Sequence, residues 1–223
     1  MANVANIQRV ALYVSPMMLV LVVLGFWPSY FASIQAWRLS VHIHSALMFY
    51  WMGSLIAQAV FVKTGQMDWH RRIGRASFVV APLMVFFGYL MMREVLGLDS
   101  WRFTVSDIRA LWGSFGNIAH FALTYALAIY FRRDTQLHAR FMISTGVILL
   151  GAGIVRIVWV GHPELSGFVA AVNTEFVFGM LITIALILND RRVGRIRAPF
   201  VIMLVLLACR HVVFTFWTAP IYP

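Results

Sequence analysis

Residues 140–160 read RFMISTGVILLGAGIVRIVWV, an apolar run long enough to cross a bilayer as a single helix. Six further runs have comparable length, about 17–25 residues being the usual requirement for a spanning helix. Their approximate ranges are 10–27, 42–62, 75–93, 113–131, 168–189 and 198–217. The run 113–131 is the weakest, because glycine, serine and asparagine dilute its start. The sequence predicts an all-α polytopic membrane protein with seven transmembrane helices in one domain, 1–223. Its expected core is a four-helix bundle of helices 2–5.

Composition supports this class independently of the individual runs. The chain is 61% hydrophobic and only 12% charged, and its mean hydropathy is +0.82. Soluble domains are about 45–50% apolar by a similar count. A net charge of +10 would suit a nucleic-acid partner, but the basic residues lie in loops between the apolar runs. That distribution is typical of a protein oriented in a lipid bilayer, and we expect no nucleic-acid binding.

Lysine and arginine are divided unequally between the two sets of loops. The richer side contains Arg9, Lys63, Arg71, Arg72, Arg75, Arg132, Arg133, Arg191, Arg192, Arg195 and Arg197. The poorer side contains Arg38, Arg93, Arg102 and Arg109. The positive-inside rule therefore predicts a cytoplasmic N-terminus and an extracytoplasmic C-terminus. The first run lacks a clear short h-region with a cleavage site, and we interpret it as a retained helix.

Two short motifs recur and carry four histidines. HSAL at 44–47 returns as HFAL at 120–123, and each is followed by a basic turn with its own histidine, HRR at 70–72 and HAR at 138–140. The four histidines fall on four consecutive helices, two near each membrane face. Ionisable groups within a bilayer are costly, so their presence is by default a functional hypothesis.

Depth can be assigned from the predicted helices. His44 and His120 lie in the outer halves of helices 2 and 4, whereas His70 and His138 precede helices 3 and 5 at the inner face. The outer half also collects a polar group that comprises Arg156, Asn173, Glu175, Arg210 and His211. Lipid cannot solvate such groups, so we expect them to face the bundle or a wet cavity. His42 and His162 are expected to be interfacial.

Two features of helices 5 and 6 lead to more specific expectations. Arg156 and Glu175 have matching depth on adjacent helices, so they are expected either to form a structural ion pair or to border a ligand pocket. The segment Gly151-Ala152-Gly153 is expected to make a close helix contact rather than a nucleotide site.

Histidines in such positions have several uses. Neutral imidazole is a good ligand for heme iron, copper or zinc, and it can relay protons. For His70 and His138, a simple headgroup-level position beside arginines is an equal alternative. Retinal chemistry is set aside, because the only lysine, Lys63, lies in or beside a loop. The sequence also lacks an HExxH motif, a glycine-rich phosphate loop and a serine hydrolase elbow.

At these residues the chain resembles a broad family of uncharacterised bacterial integral membrane proteins. The matching elements, in order, are His44, HRRIG at 70–74, DTQLHARFM at 134–142, Arg156, Asn173 and Glu175. The resemblance covers about 40–185, with Phe141 standing where the family usually has tryptophan. It implies a multi-pass protein of the bacterial inner membrane and selects residues without naming a reaction.

A second resemblance concerns arrangement. Diheme cytochromes of the b561 type hold two hemes with histidine pairs from alternating core helices, and here helices 2 and 4 carry His44 and His120 while helices 3 and 5 carry His70 and His138. The resemblance implies bound heme b, with Arg71 and other facial arginines pairing the propionates.

The leading hypothesis is accordingly a b-type cytochrome-like electron-transfer protein, with Arg71 and Arg140 among its cofactor-binding residues and with quinone or a respiratory-chain protein as partner. A zinc- or copper-binding protein or enzyme built on His44, His120, His211 and Glu175 is the first alternative. A non-enzymatic sensor, small-molecule carrier or assembly subunit of a membrane complex is the second.

Overall fold

The structure, a computed structural model, describes residues 2–95, 105–161 and 168–218. Over these ranges it contains α-helices and one short 3-10 helix, Phe31–Ala36, and no strand. The α-helices are α1 Ala2–Phe26, α2 Leu39–Lys63, α3 Met67–Val95, α4 Val105–Tyr130, α5 Thr135–Gly161, α6 Phe168–Arg192 and α7 Ala198–Thr218. Six of them, α1, α2, α3, α5, α6 and α7, are long and apolar enough to cross a membrane. The predicted all-α class is confirmed, and the six helices indicate a multi-pass membrane protein.

Several helices begin before the apolar runs that predicted them, and α3 and α5 are the two that carry a histidine there. These helices begin at Met67 and Thr135, well before the runs that predicted them. His70 and His138 therefore lie within the first turns of α3 and α5 rather than in the preceding turns, which corrects the expectation. Because both histidines are helical, their side chains have defined directions relative to the neighbouring helices.

Local side-chain chemistry explains how α5 begins in polar sequence. The Asp134 carboxylate accepts hydrogen bonds from the backbone N–H groups of Gln136 at 2.8 Å and Leu137 at 3.1 Å. This is an N-cap, which satisfies donors that have no partner inside the helix. At the end of α2, Gly65 adopts φ +73°, a left-handed conformation that favours glycine and stops the helix.

The central helix of the bundle is α5. The expected core of helices 2–5 is incomplete, because other helices also pack on α5. Helix α5 packs against α1, α2, α4, α6 and α7. Of its apolar window 61% is buried, against 17–33% in the other five candidate spans. The expectation left α1 outside the core, but α1 packs along α5 and contributes Met18 and Val22, which are 0% and 1% exposed.

Small residues allow α1 and α5 to approach closely. A Cβ atom on Gly25 would lie 2.3 Å from the Gly153 carbonyl oxygen, and one on Gly153 would lie 3.1 Å from Val22 Cα. The backbones therefore touch where a side chain would otherwise separate them. The expected close helix contact at 151–153 is confirmed.

An aromatic layer lies midway along the bundle. The buried Trp51 indole donates from Nε1 to Thr145 Oγ1 at 3.0 Å, which joins α2 to α5. Its ring also meets Phe121 and Tyr125 of α4, with centroids 5.1 and 5.3 Å away. This layer separates the polar groups at the two ends of the bundle.

Candidate functional site

The chain topology collects the α2–α3, α4–α5 and α6–α7 connections at one end of the bundle, here called the basic end. Its exposed cations are Lys63, Arg71, Arg72, Arg75, Arg132, Arg133, Arg191, Arg192 and Arg195. Arg71 makes only a 3.4 Å contact with Asp68, and both side chains are largely exposed. Such a contact contributes little, so the Arg71 guanidinium is available to a ligand.

His138 is oriented by the backbone at the basic end. Its Nδ1 lies 2.8 Å from the Ala128 carbonyl oxygen of α4. A carbonyl only accepts, so Nδ1 carries the proton and Nε2 keeps its lone pair. This is how metal-binding histidines are commonly held, with one nitrogen donating to a carbonyl and the other free to bind.

His70, on α3 at the same end, is incompletely satisfied. Its carbonyl oxygen accepts a hydrogen bond from Gln58 Nε2 at 3.0 Å. The buried atoms His70 Nδ1 and Gln58 Oε1 have no hydrogen-bond partner. His70 and His138 are near enough to interact electrostatically. The pair predicted on helices 3 and 5 therefore lies at one end of the bundle, and Gln58 is an addition that the motifs did not signal.

Arg140 forms a buried ion pair that the sequence did not predict. Its Nε and Nη2 donate to the two Asp190 carboxylate oxygens at 2.8 and 2.6 Å, and Nη1 donates to the Gln136 carbonyl and side-chain oxygens at 2.9 and 2.7 Å. The Arg140 and Asp190 side chains are 1% and 0% exposed. Arg140 is therefore committed to α6, and the expectation that it pairs a heme propionate does not hold. Asp190 lies at the end of an apolar run and beside arginines, and this position could have indicated its role from the sequence.

At the opposite end, α4, α6 and α7 contribute a second cluster, here called the opposite-end cluster. Its members are Asn117, His120, Asn173, Glu175, Arg210 and His211. Glu175, 7% exposed, accepts from Asn117 Nδ2 at 3.1 Å. His120, 4% exposed, has Nδ1 3.3 Å from Arg210 Nη1. The predicted outer polar group thus forms in part, with Asn117 as a further member.

Arg210 crosses the space between α7 and α4. Its guanidinium lies over the Phe176 ring, 5.2 Å from the centroid, and Nη2 is 3.4 Å from the Gly113 carbonyl oxygen. The buried Nε has no hydrogen-bond partner. Gly116 leaves the room that this side chain occupies, because a Cβ there would lie 3.0 Å from Nε.

The expected Arg156–Glu175 ion pair does not form. Arg156 lies over the Phe26 ring of α1 at 4.2 Å and donates to the Ala152 carbonyl at 3.3 Å. Glu175 instead packs against Gly151, where a Cβ would lie 2.6 Å from Oε1. At about 100° per residue, positions 151 and 156 point to different sides of α5, so depth alone did not determine the partner.

His44 and His120 have different neighbours. His44 lies against α3, where a Cβ on Gly88 would be 3.1 Å from its Cε1 and 3.6 Å from Ile118 Cδ1. His120, two residues beyond Ile118, faces Arg210 on α7. Two residues turn a helix by about 200°, so α4 presents these surfaces to opposite sides. No described hydrogen bond or ring contact joins the two histidines.

The remaining histidines are accounted for individually. His211 Nε2 lies 2.9 Å from Asn173 Oδ1, and its ring stacks on Phe176. His42 is hydrogen-bonded to the Tyr30 hydroxyl at 2.9 Å. His162 lies outside the described residues. Within the described ranges, no three His, Cys, Asp or Glu side chains form a group that could hold a metal ion, and the set of His44, His120 and His211 is not brought together.

Comparison with protein-family models, curated proteins and solved structures finds no match to this chain.

Proposed function

We propose that this protein is a membrane electron-transfer protein in which His70 and His138 hold one heme b at the basic end. The observation that carries the proposal is the His138 hydrogen bond to the Ala128 carbonyl, which leaves Nε2 free, together with the nearby His70, whose buried Nδ1 has no hydrogen-bond partner. Helix bundles commonly hold cofactors between side chains that different helices contribute.

The number of protein ligands supports heme over zinc or copper. A porphyrin supplies four nitrogens, so two imidazoles complete the coordination of its iron. Zinc sites usually take three or four protein ligands. Among the described residues, no group of three or more His, Cys, Asp or Glu side chains that could hold a metal ion is present.

The charges at the basic end suit the same group. Heme b carries two propionates, and the exposed Arg71 guanidinium follows His70 directly in the sequence with only a weak contact to Asp68. A bound heme would supply one-electron transfer between the ferric and ferrous states. The chain's own contribution is to orient the His138 ring through Ala128, to hold His70 beside it, and to neutralise propionate charge with Arg71.

The proposal includes the membrane arrangement. At about 1.5 Å per residue, the 26 residues of α4 span about 39 Å, which is long enough for a seventh crossing. The positive-inside rule then places the basic end in the cytoplasm of a bacterial inner membrane. A quinol is a suitable donor class, because it gives up two electrons singly and releases two protons.

Absorbance spectroscopy tests the proposal directly. The protein is expressed with heme supplied, purified in mild detergent, and measured oxidised and dithionite-reduced. We expect a Soret band and sharp reduced α and β bands, lost in His70→Ala and in His138→Ala. The matched control is His42→Ala, whose imidazole is bonded to Tyr30 and should leave the spectrum unchanged.

Three results would count against the proposal. A featureless wild-type spectrum at full yield would refute heme binding. Loss of the bands only in His44→Ala or His120→Ala would place the heme at the other end. Retention in both His70→Ala and His138→Ala would exclude the pair as ligands. Size-exclusion profiles of each variant separate loss of heme from loss of folding.

A further inference from the structure

Among the described residues, the buried Arg140 and the half-buried Arg210 have very different hydrogen bonding. Arg140 makes four hydrogen bonds of 2.6–2.9 Å, two of them to a carboxylate. Arg210 makes none that short: its contacts are 3.3 Å to His120 and 3.4 Å to the Gly113 carbonyl, and its Nε has no partner. Arg140 is an arginine whose donors are used in structural hydrogen bonds. Arg210 differs, because its donors make only long contacts or none.

The His120 tautomer adds a second unfilled donor. Arginine can only donate, so the contact with Arg210 requires His120 Nδ1 to accept. The ring proton of the neutral imidazole then lies on Nε2, which is buried without a partner. An unmade hydrogen bond at a buried donor is costly, and here two such donors belong to residues in contact with each other.

Positive charge also exceeds negative charge among the described residues around the opposite-end cluster. Arg156 and Arg210 both lie inside the bundle, and neither has a carboxylate within ion-pair distance among the described residues. Glu175 is the buried carboxylate nearby and interacts electrostatically with Arg210. Glu94 lies at the end of α3, where Ser40 hydrogen-bonds to it. Among the described residues of this region, two guanidinium groups therefore accompany one interior carboxylate.

We propose that Arg210 and His120 form a binding site for a small oxyanion of the carboxylate or phosphate type. Its oxygens would accept from Arg210 Nε and His120 Nε2, the two buried donors without partners. A guanidinium fork matches carboxylate and phosphate geometry. Glu175 opposes the anion by charge and sets its affinity. The inference is independent of heme binding at the basic end.

Anion-dependent stabilisation tests the site. Thermal unfolding of the full chain in detergent is followed by tryptophan fluorescence, with acetate or inorganic phosphate compared with chloride at equal ionic strength. We expect acetate or phosphate to raise the Tm above that in chloride, because a ligand that binds the folded state stabilises it. Arg210→Gln should weaken the apparent affinity about tenfold or more, since a charge-assisted hydrogen bond is lost. Glu175→Gln should strengthen it.

The control addresses unspecific binding to a chain of net charge +10. Arg133→Gln removes an exposed charge at the basic end and should leave the anion response unchanged. If Arg210→Gln does not fold, Arg210→Lys keeps the charge, loses the fork and should bind more weakly than wild type. A response to phosphatidylglycerol micelles but not to free anions would assign the oxyanion to a lipid headgroup.

Two kinds of result would overturn the anion site. Identical responses to chloride, acetate and phosphate, or an unchanged response in Arg210→Gln or Arg210→Lys, would overturn the site. Weaker binding in Glu175→Gln would show that the ligand is cationic or zwitterionic, which also contradicts an anion site.

Discussion

The buried ion pair between Arg140 and Asp190 yields the most quantitative prediction. Asp190→Asn removes the negative charge and leaves the Arg140 guanidinium buried, with Gln136 and the Phe200 ring at 5.8 Å as its remaining neighbours. Breaking a buried pair from one side typically costs about 3–5 kcal/mol, because the surviving charge cannot reach water. The exposed fractions of 1% and 0% place this pair in that class.

The same reasoning predicts how the loss is recovered. Arg140→Met alone leaves the Asp190 carboxylate unpaired and should be comparably destabilising. Combining Arg140→Met with Asp190→Leu removes both charges, and apolar replacements of a buried pair are often neutral or stabilising. The double variant should therefore be more stable than either single one. That non-additivity measures the coupling between the two residues.

Thermal stability in detergent, read as the monodisperse fraction after heating, is a suitable assay. At about 2–4 °C per kcal/mol for a chain of this size, each single variant should lose about 6–20 °C. Asp68→Asn is the matched control, because its contact with Arg71 is exposed and should change the midpoint by less than about 2 °C. Equal shifts in Asp190→Asn and Asp68→Asn, or an additive double variant, would refute the reasoning.

Three further comparisons test two close contacts and one helix cap. Gly25→Ala should lose about 1–3 kcal/mol of stability, because the new Cβ would be 2.3 Å from a backbone oxygen of α5. Gly53→Ala is the control and should be neutral or stabilising, because nothing lies within 4 Å of its new Cβ. Similar Tm values for the two variants would contradict the α1–α5 contact. Gly151→Ala should displace the Glu175 carboxylate and lower the Tm, and adding Glu175→Asp should restore part of the loss because its side chain is shorter. An unchanged Tm in Gly151→Ala alone would be inconsistent with the 2.6 Å approach. Asp134→Ala should cost about 1 kcal/mol through the lost N-cap, while Asp134→Ser, which also caps, should retain most of the stability; equal losses in thermal unfolding would argue against capping.

Local properties of the sequence predicted the helices. Apolar length, sparse charge and basic loops indicated an all-helical membrane chain, and the small residues at 151–153 indicated a close helix contact. The motif DxxxHxRxM also marked positions that matter, although their tasks differ. Asp134 caps α5, His138 binds a carbonyl of α4, and Arg140 pairs with Asp190. The start of α5 was predicted too late, because the Asp134 cap lets the helix begin before its apolar run.

What only the tertiary structure decided is which polar side chains meet. Depth in the membrane suggested Arg156 with Glu175, yet the fold gives Arg156 the Phe26 ring and gives Glu175 the Asn117 amide. Likewise it separates the neighbours of His44 from those of His120. Hydropathy and helix length depend on residues close in sequence. Partner choice depends on the rotation of each helix about its axis, where one residue changes direction by about 100°. That rotation is set by close contacts such as α1 on α5, which a sequence pattern does not contain.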